Sequence, residues 1–275
     1  MKRILSALTI LISIANAQAY TDLGVGVGYS YYLGDINPSS VFYNENEKLS
    51  FQAILRTSPT QRWSYTLVGK YSQFSANDLN SENSFQLQRN LSFFNETVSL
   101  SANIEFNFMP FEPFYNYSIF YEPKRFTPYL HLGLGGFYHN PKTIFEGNEY
   151  ELRPLETEGN SYSKYAIHIP FGFGFKYKLS ERLLSSIHWT WNMTSTDYID
   201  DVNTRYPSDP IEMSVLSRRL SDRSVEQIGN DGTNWGTQRG NSVNNDWFAG
   251  VFVNFSYILQ KNPARCHFDQ IDKKR

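Results

Sequence analysis

"YAIHIPFGFGFKYKL", Tyr165 to Leu179, carries an apolar or aromatic residue at every second position. Tyr165, Ile167, Ile169, Phe171, Phe173, Phe175, Tyr177 and Leu179 fall on one side. Ala166, His168, Pro170, Gly172, Gly174, Lys176 and Lys178 fall on the other. Successive side chains of a strand point to opposite faces, so this is a strand with one apolar and one polar face. Strands in soluble sheets usually run about five or six residues. A tilted strand crossing a bilayer needs about nine to eleven. The length points to a membrane barrel, provided that partner strands exist.

Seven further stretches alternate in the same way: residues 22–33, 49–56, 63–74, 97–108, 129–139, 183–196 and 247–258. With the first stretch they make eight, an even number as bacterial barrels require. Pairing all of them into a ring satisfies every backbone group and leaves no edge, which lipid demands. The expected fold is all-β, an eight-stranded antiparallel transmembrane β-barrel. The rival is a secreted sandwich or lipocalin-like barrel with its apolar side inward. The opposite face here is rich in Gly, Ser, Asn, Lys and His, which suits a tight polar lumen better than a solvated exterior.

Lys2 and Arg3, the apolar run from Ile4 to Ile14, and Ala17-Gln18-Ala19 read as a signal peptide cleaved after Ala19. Losing Lys2 and Arg3 takes the formal charge from −2 to −4, too mild a balance to suggest nucleic acid. Later in the chain nothing approaches the roughly eighteen apolar residues of a spanning helix. The mean hydropathy of −0.46 is compatible with a barrel, because only half of each strand faces lipid. Aromatics make up 16% of the chain, with 19 Tyr and 21 Phe. Cys266 is the one cysteine, so no intrachain disulfide framework exists. The expected organisation is a signal peptide (1–19), a barrel (20–258) and a basic tail (259–275). Export places the protein in the outer membrane of a Gram-negative cell with both termini periplasmic. The outer loops are then 34–48, 75–96, 140–164 and 197–246, and the inner turns 57–62, 109–128 and 180–182.

Aromatics that would mark the lipid interfaces are Trp63, Trp189, Trp191, Trp247 and Tyr257. An eight-strand barrel is filled by its own side chains, so a solute pore is not expected. His131, His139, His168 and His188 all point inward by parity. Ser99, Ser101 and Ser186 do too, but no local nucleophile motif accompanies them. His131 and His139 stand eight residues apart, roughly 26 Å at about 3.3 Å per residue, too far to share a metal. Glu105, Lys70, Lys176, Lys178 and Arg56 read as an interior charge network, since buried charges must be paired. No catalytic residue, metal site or cofactor site is expected. Two features lie on the periplasmic side. One is the aromatic, proline-punctuated turn 109–128, with Phe111, Phe114, Tyr117, Phe120, Lys124 and Arg125. The other is the tail, with Lys261, Arg265 and Cys266.

Three stretches together resemble a known group. "GVGVGYSYYLGDINP" (Gly24 to Pro38), "RFTPYLHLGLGGFYHNP" (Arg125 to Pro141) and "RGNSVNNDWFAGVFVNFSYIL" (Arg239 to Leu259) are similar in order and spacing to the PorG-like outer-membrane proteins of Bacteroidota. The resemblance implies a barrel of the type IX secretion and gliding apparatus. It would anchor a periplasmic ring built from the lipoprotein PorK and its partner PorN. The turn 109–128 and the tail would then be the docking surface. The alternative is a stand-alone, OmpX-like surface barrel that binds ligands, host surfaces or lipopolysaccharide through long outer loops. Arg205, Arg218, Arg219, Arg223 and Arg239 of the fourth loop would supply phosphate contacts.

Overall fold

The computed structural model of the protein describes residues 20–36, 48–111, 124–227 and 231–261. Eight strands form the barrel: β1 (Tyr20–Leu33), β2 (Lys48–Ser58), β3 (Trp63–Asn77), β4 (Ser92–Asn107), β5 (Phe126–Tyr138), β8 (Tyr165–Lys178), β9 (Leu183–Thr194) and β10 (Trp247–Lys261). A small hairpin, β6 (Lys142–Phe145) and β7 (Asn148–Glu151), sits in the connection between β5 and β8. Each barrel strand pairs antiparallel with its neighbour in the chain, and β1 pairs with β10 to close the ring. Paired residues can be followed once round the wall, from Thr21 through Thr57, Tyr65, Ile104, Leu132, Phe171, Trp191 and Ala249 back to Tyr31 on β1. Closure thus carries a stagger of ten residues, which tilts the strands by roughly 35–45°.

The apolar face points outward on every strand. Leu23, Val25, Val27 and Tyr29 of β1 are exposed, as are Leu130, Leu132 and Leu134 of β5 and Val253, Phe255 and Tyr257 of β10. A belt of that kind is stable only against acyl chains. Among the described residues no helix is long and apolar enough to cross a membrane. The connections at one end are short, at 59–62 and 179–182. At the other end the connections 78–91, 139–164 and 195–246 are long. These are called below the turn end and the loop end.

Several boundaries differ from the alternation. β3 and β4 continue past the apolar belt to Asn77 and Ser92, where their outward residues become Gln73, Ser75, Asn77 and Glu96. β10 runs to Lys261, so residues 259–261 belong to the wall and not to a tail. β9 ends at Thr194, two residues short of the expected limit. The third loop also folds more than expected. Glu146 (φ 50°) and Gly147 (φ 79°) both take the left-handed conformation that a two-residue hairpin turn requires, and this joins β6 to β7.

Candidate functional site

The lumen is packed in layers. Nearest the turn end, Tyr20, Phe111, Leu184 and Ile258 form a small apolar plug. Above it lies a charge layer. Arg56 pairs with Asp22 (3.2 Å) and Glu105 (2.9 Å), and Lys176 pairs with Glu105 (2.5 Å) and lies over the Tyr129 ring. Alternation brings these groups together, because β1, β2, β4 and β8 each turn one inward residue to the same level. The expected network therefore exists around Arg56, Glu105 and Lys176, with two corrections. Asp22 is a full member. Lys70 is not: it makes no ion pair with any described residue, and its ammonium sits 5.0 Å from the Phe252 ring, beside a small cavity of about 30 Å³. Gln52, Asn103, His131 and His188 line the same cavity.

The four histidines do point inward, and they pack. His168 donates from Nδ1 to Asn192 Oδ1 (3.0 Å). The two ring nitrogens of His188 lie 3.3 Å from Gln52 Nε2 and from Asn254 Nδ2. His131 meets His188 edge-on at 5.6 Å, and His139 stacks on Tyr162. No serine hydroxyl is hydrogen-bonded to a histidine, and no three His, Cys, Asp or Glu side chains are grouped for a metal ion, among the described residues.

The loop end holds the larger construction. Tyr32, Phe74, Phe93, Phe137 and Phe248 form an apolar floor across the barrel mouth, and Ile36, Leu91, Phe145, Leu152, Ile199, Val202 and Leu220 descend on it from all four connections. Two buried arginines lock this cap. Arg89, the last residue of the short helix α1 (Ser84–Arg89), holds Asp78 with both arms of its guanidinium (2.7 and 2.8 Å). It also donates to the backbone oxygens of Asp35 (2.8 Å) and Arg239 (2.6 Å). Arg239 pairs with Glu158 (3.1 Å) and Asp201 (3.7 Å), and donates to the backbone oxygens of Asp201 (2.6 Å) and Ser221 (3.2 Å). Ser221 closes the helix α2 (Val215–Ser221) and is itself bound to Thr157. Each loop thus grips the next.

Acids are in excess here. The Tyr32 hydroxyl lies 2.7 Å from Asp200 and 2.8 Å from Asp246. One hydroxyl has one proton to donate, so the second short contact needs a proton on a carboxyl. Burial pushes the pKa values of Asp200 and Asp246 well up, and neighbouring carboxylates add to the shift. Burial also raises Asp197 to about 7 and Asp201 to about 6, with Arg239 opposing the shift at Asp201.

Of the expected docking residues, Phe111 is a correction. It is 1% exposed and belongs to the plug, where it offers a partner nothing. Lys124 and Arg125 are exposed beside it. Phe114, Tyr117, Phe120, Arg265 and Cys266 lie outside the described residues, and Lys261 is placed by its backbone in β10. The fourth-loop arginines are mostly engaged within the cap. Arg239 is buried, Arg223 pairs with Glu226 (3.0 Å), and Arg219 pairs with Glu146 (3.2 Å) while lying over the Phe145 ring. Arg205 is exposed and donates to the Gly236 backbone oxygen (3.3 Å). Among the aromatics, Trp63 and Tyr257 stand near the turn end and Trp247 opens β10 at the loop end. Trp189 stands mid-strand in β9, stacked on Phe173 (5.2 Å).

A closed ring of eight antiparallel strands, apolar outside and packed with side chains within, defines a transmembrane β-barrel. The chain belongs to the family described as Domain of unknown function (DUF6089), which it matches over residues 2–214. The match ends inside the fourth loop, before β10. No curated protein matches the sequence. Among solved structures, the chain is similar to Ail, the attachment invasion locus protein of Yersinia pestis, with 9% identity, a TM-score of 0.41, and coverage of 88% of this chain and 99% of that one. It is similar to Neisserial surface protein A, with 8% identity, a TM-score of 0.39, and coverage of 88% and 98%. It is also similar to OprG from Pseudomonas aeruginosa, with 11% identity, a TM-score of 0.38, and coverage of 89% and 97%. The fold assignment rests on the ring of pairs, not on these likenesses.

Proposed function

We propose that the protein is an outer-membrane barrel that acts as a rigid pedestal for a folded, surface-presented binding head. The observation that carries this reading is the cap. Its loops are not solvated tethers, because they share an apolar core and two buried arginine clusters. The filled lumen argues against transport, and the histidines it contains are used in packing. Ile211 and Val243 are 82% and 83% exposed on the cap. In a Cys266→Ser background, a cysteine at either position should react with a membrane-impermeant maleimide on intact cells. A cysteine at Arg62, at the turn end, should react only after lysis. The opposite pattern would invert the barrel and end the proposal.

A second reading has its own support at the turn end. Arg62, Lys124, Arg125 and Arg182 are all exposed there. A basic rim suits an acidic periplasmic partner, as the ring-anchor role of the PorG-like proteins would require. Co-purification of ring lipoproteins with a cap-tagged protein, lost on charge reversal of Lys124 and Arg125, is the expected result for that role. Recovery of the barrel alone would count against it.

A further inference from the structure

Two depressions lie one above the other on the outer wall. The lower one is an apolar groove of about 870 Å³. It follows the row of paired residues Val25, Ala53, Gly69, Leu100 and Gly136. Its floor is low because three of these residues are small. A Cβ built on Gly69 would meet nothing within 4 Å, and one on Gly136 would meet only the Ala166 oxygen at 3.8 Å. Phe51, Tyr71, Tyr138 and Tyr165 wall its upper side. The groove is continuous with the apolar belt, which is the surface that acyl chains cover.

The upper one is a polar cleft of about 520 Å³, where β3 and β4 continue beyond the belt. Pairing of β2 with β3 stops at Phe51–Tyr71, whereas β3 and β4 stay paired to Asn77–Ser92, so the extension stands clear of β2. Gln73, Ser75, Asn77 and Glu96 present amides, a hydroxyl and a carboxylate, Phe94 presents a ring, and Lys48 bounds one side. The two depressions meet at consecutive same-face positions, Tyr71 and Gln73 on β3 and Val98 and Glu96 on β4. A hydrogen-bonded seam marks the junction: Tyr71 donates to Glu96 Oε1 (2.9 Å) and accepts from Gln73 Nε2 (3.0 Å).

An occupant of both must be amphiphilic, with its chain at the level of the belt and its head above it. The head chemistry is specific. Planar amides and a hydroxyl suit sugar hydroxyls, the Phe94 ring, with the Lys142 ammonium 5.9 Å from its centre on one face, suits the C–H face of a sugar, and the lining holds no arginine to grip a bare phosphate with a forked guanidinium. We propose that the wall from β2 to β5 is a binding site for one outer-leaflet glycolipid, with an acyl chain across Ala53, Gly69 and Gly136 and a sugar over Gln73, Asn77 and Phe94. This rests on the outer-membrane reading but needs neither the binding head nor the ring anchor.

The test uses the full-length protein purified from its native outer membrane, with repeated detergent exchange and mass spectrometry of the retained lipid. The wild type should keep a stoichiometric glycolipid. Gly69→Leu fills the groove without a clash and should cut retention about tenfold, the equivalent of roughly two lost methylene contacts. Gln73→Ala with Asn77→Ala should do the same from the head side. Val253→Leu, in the apolar belt on β10, should leave retention unchanged. A wild type that retains no lipid, or phospholipid in place of glycolipid, would overturn the proposal. So would a Gly69→Leu protein that retains as much as the wild type. A chain missing from the outer-membrane fraction, or lacking the heat-dependent gel mobility of a folded barrel, would remove the outer-membrane reading and this site with it.

Discussion

Replacing Arg239 with methionine should open the cap and leave the barrel standing. The guanidinium is buried, and it links Glu158 of the third loop to Asp201 and Ser221 of the fourth. Methionine has nearly the length of the arginine stem, so little packing is lost and the effect is electrostatic. Removing one partner of a buried ion pair costs about 3–5 kcal/mol, because the other charge stays buried. At about 1.4 kcal/mol per factor of ten, the open population rises roughly 10²- to 4 × 10³-fold. Limited proteolysis of the folded protein in detergent should show that rise as faster cleavage within 139–164 and 195–246, while the heat-dependent mobility of the barrel stays that of the wild type. Adding Glu158→Gln should recover part of the loss. The amide oxygen can still accept from Asn203 N or from Thr204, and the double variant buries one carboxylate fewer, Asp201 being the one that remains. Cleavage within about threefold of wild type, a difference of under ~0.7 kcal/mol, would refute the locking role. A barrel that melts together with the cap would refute the independence of the two layers.

Alkaline pH should also loosen the cap. Asp200, Asp246, Asp197 (to about 7) and Asp201 (to about 6) all have folded-state pKa values above the unfolded value of about 3.9, so the closed cap binds more protons than the open one. Its stability is full below about pH 4 and falls as pH rises through the folded values. Cleavage should be faster at pH 8 than at pH 5, with a shallower slope in Asp197→Asn, and a pH-independent rate would contradict the acid cluster. In the lumen, Glu105→Gln leaves Lys176 without its carboxylate and should lower the urea midpoint of unfolding by the equivalent of roughly 3 kcal/mol. Gly172→Ala would place a Cβ 2.0 Å from the Trp189 oxygen and should cost about 1–3 kcal/mol in the same assay. Gly69→Leu, facing open space, should cost nothing measurable there.

The barrel was legible because its constraint is local. Lipid on one side and a narrow lumen on the other impose a period of two, and Tyr165–Lys178 shows it without interruption. The extension of β3 and β4 was hidden for the same reason: once the outward residues leave lipid they become Gln73, Ser75 and Asn77, and the apolar half of the alternation disappears. The cap was hidden more deeply. Ile199, Val202 and Leu220 are isolated apolar residues in polar text, and only the fold shows that they meet Phe74 and Phe248. The β6–β7 hairpin did carry a signal, the turn-forming pair Glu146-Gly147. Lys70 was grouped with the other inward charges because parity gives the direction of a side chain but not its level in the lumen.

Closure between β1 and β10 has a kinetic meaning. Tyr20 pairs with Lys261, so the final seam joins the two extremes of the described wall. Contacts of such long sequence separation form late and slowly. Until β10 arrives, the inward edges of β1 and β9 are open templates for other chains, and the apolar belt has no lipid to cover it. A truncation that removes β10 should therefore yield an aggregating species, not a seven-strand barrel.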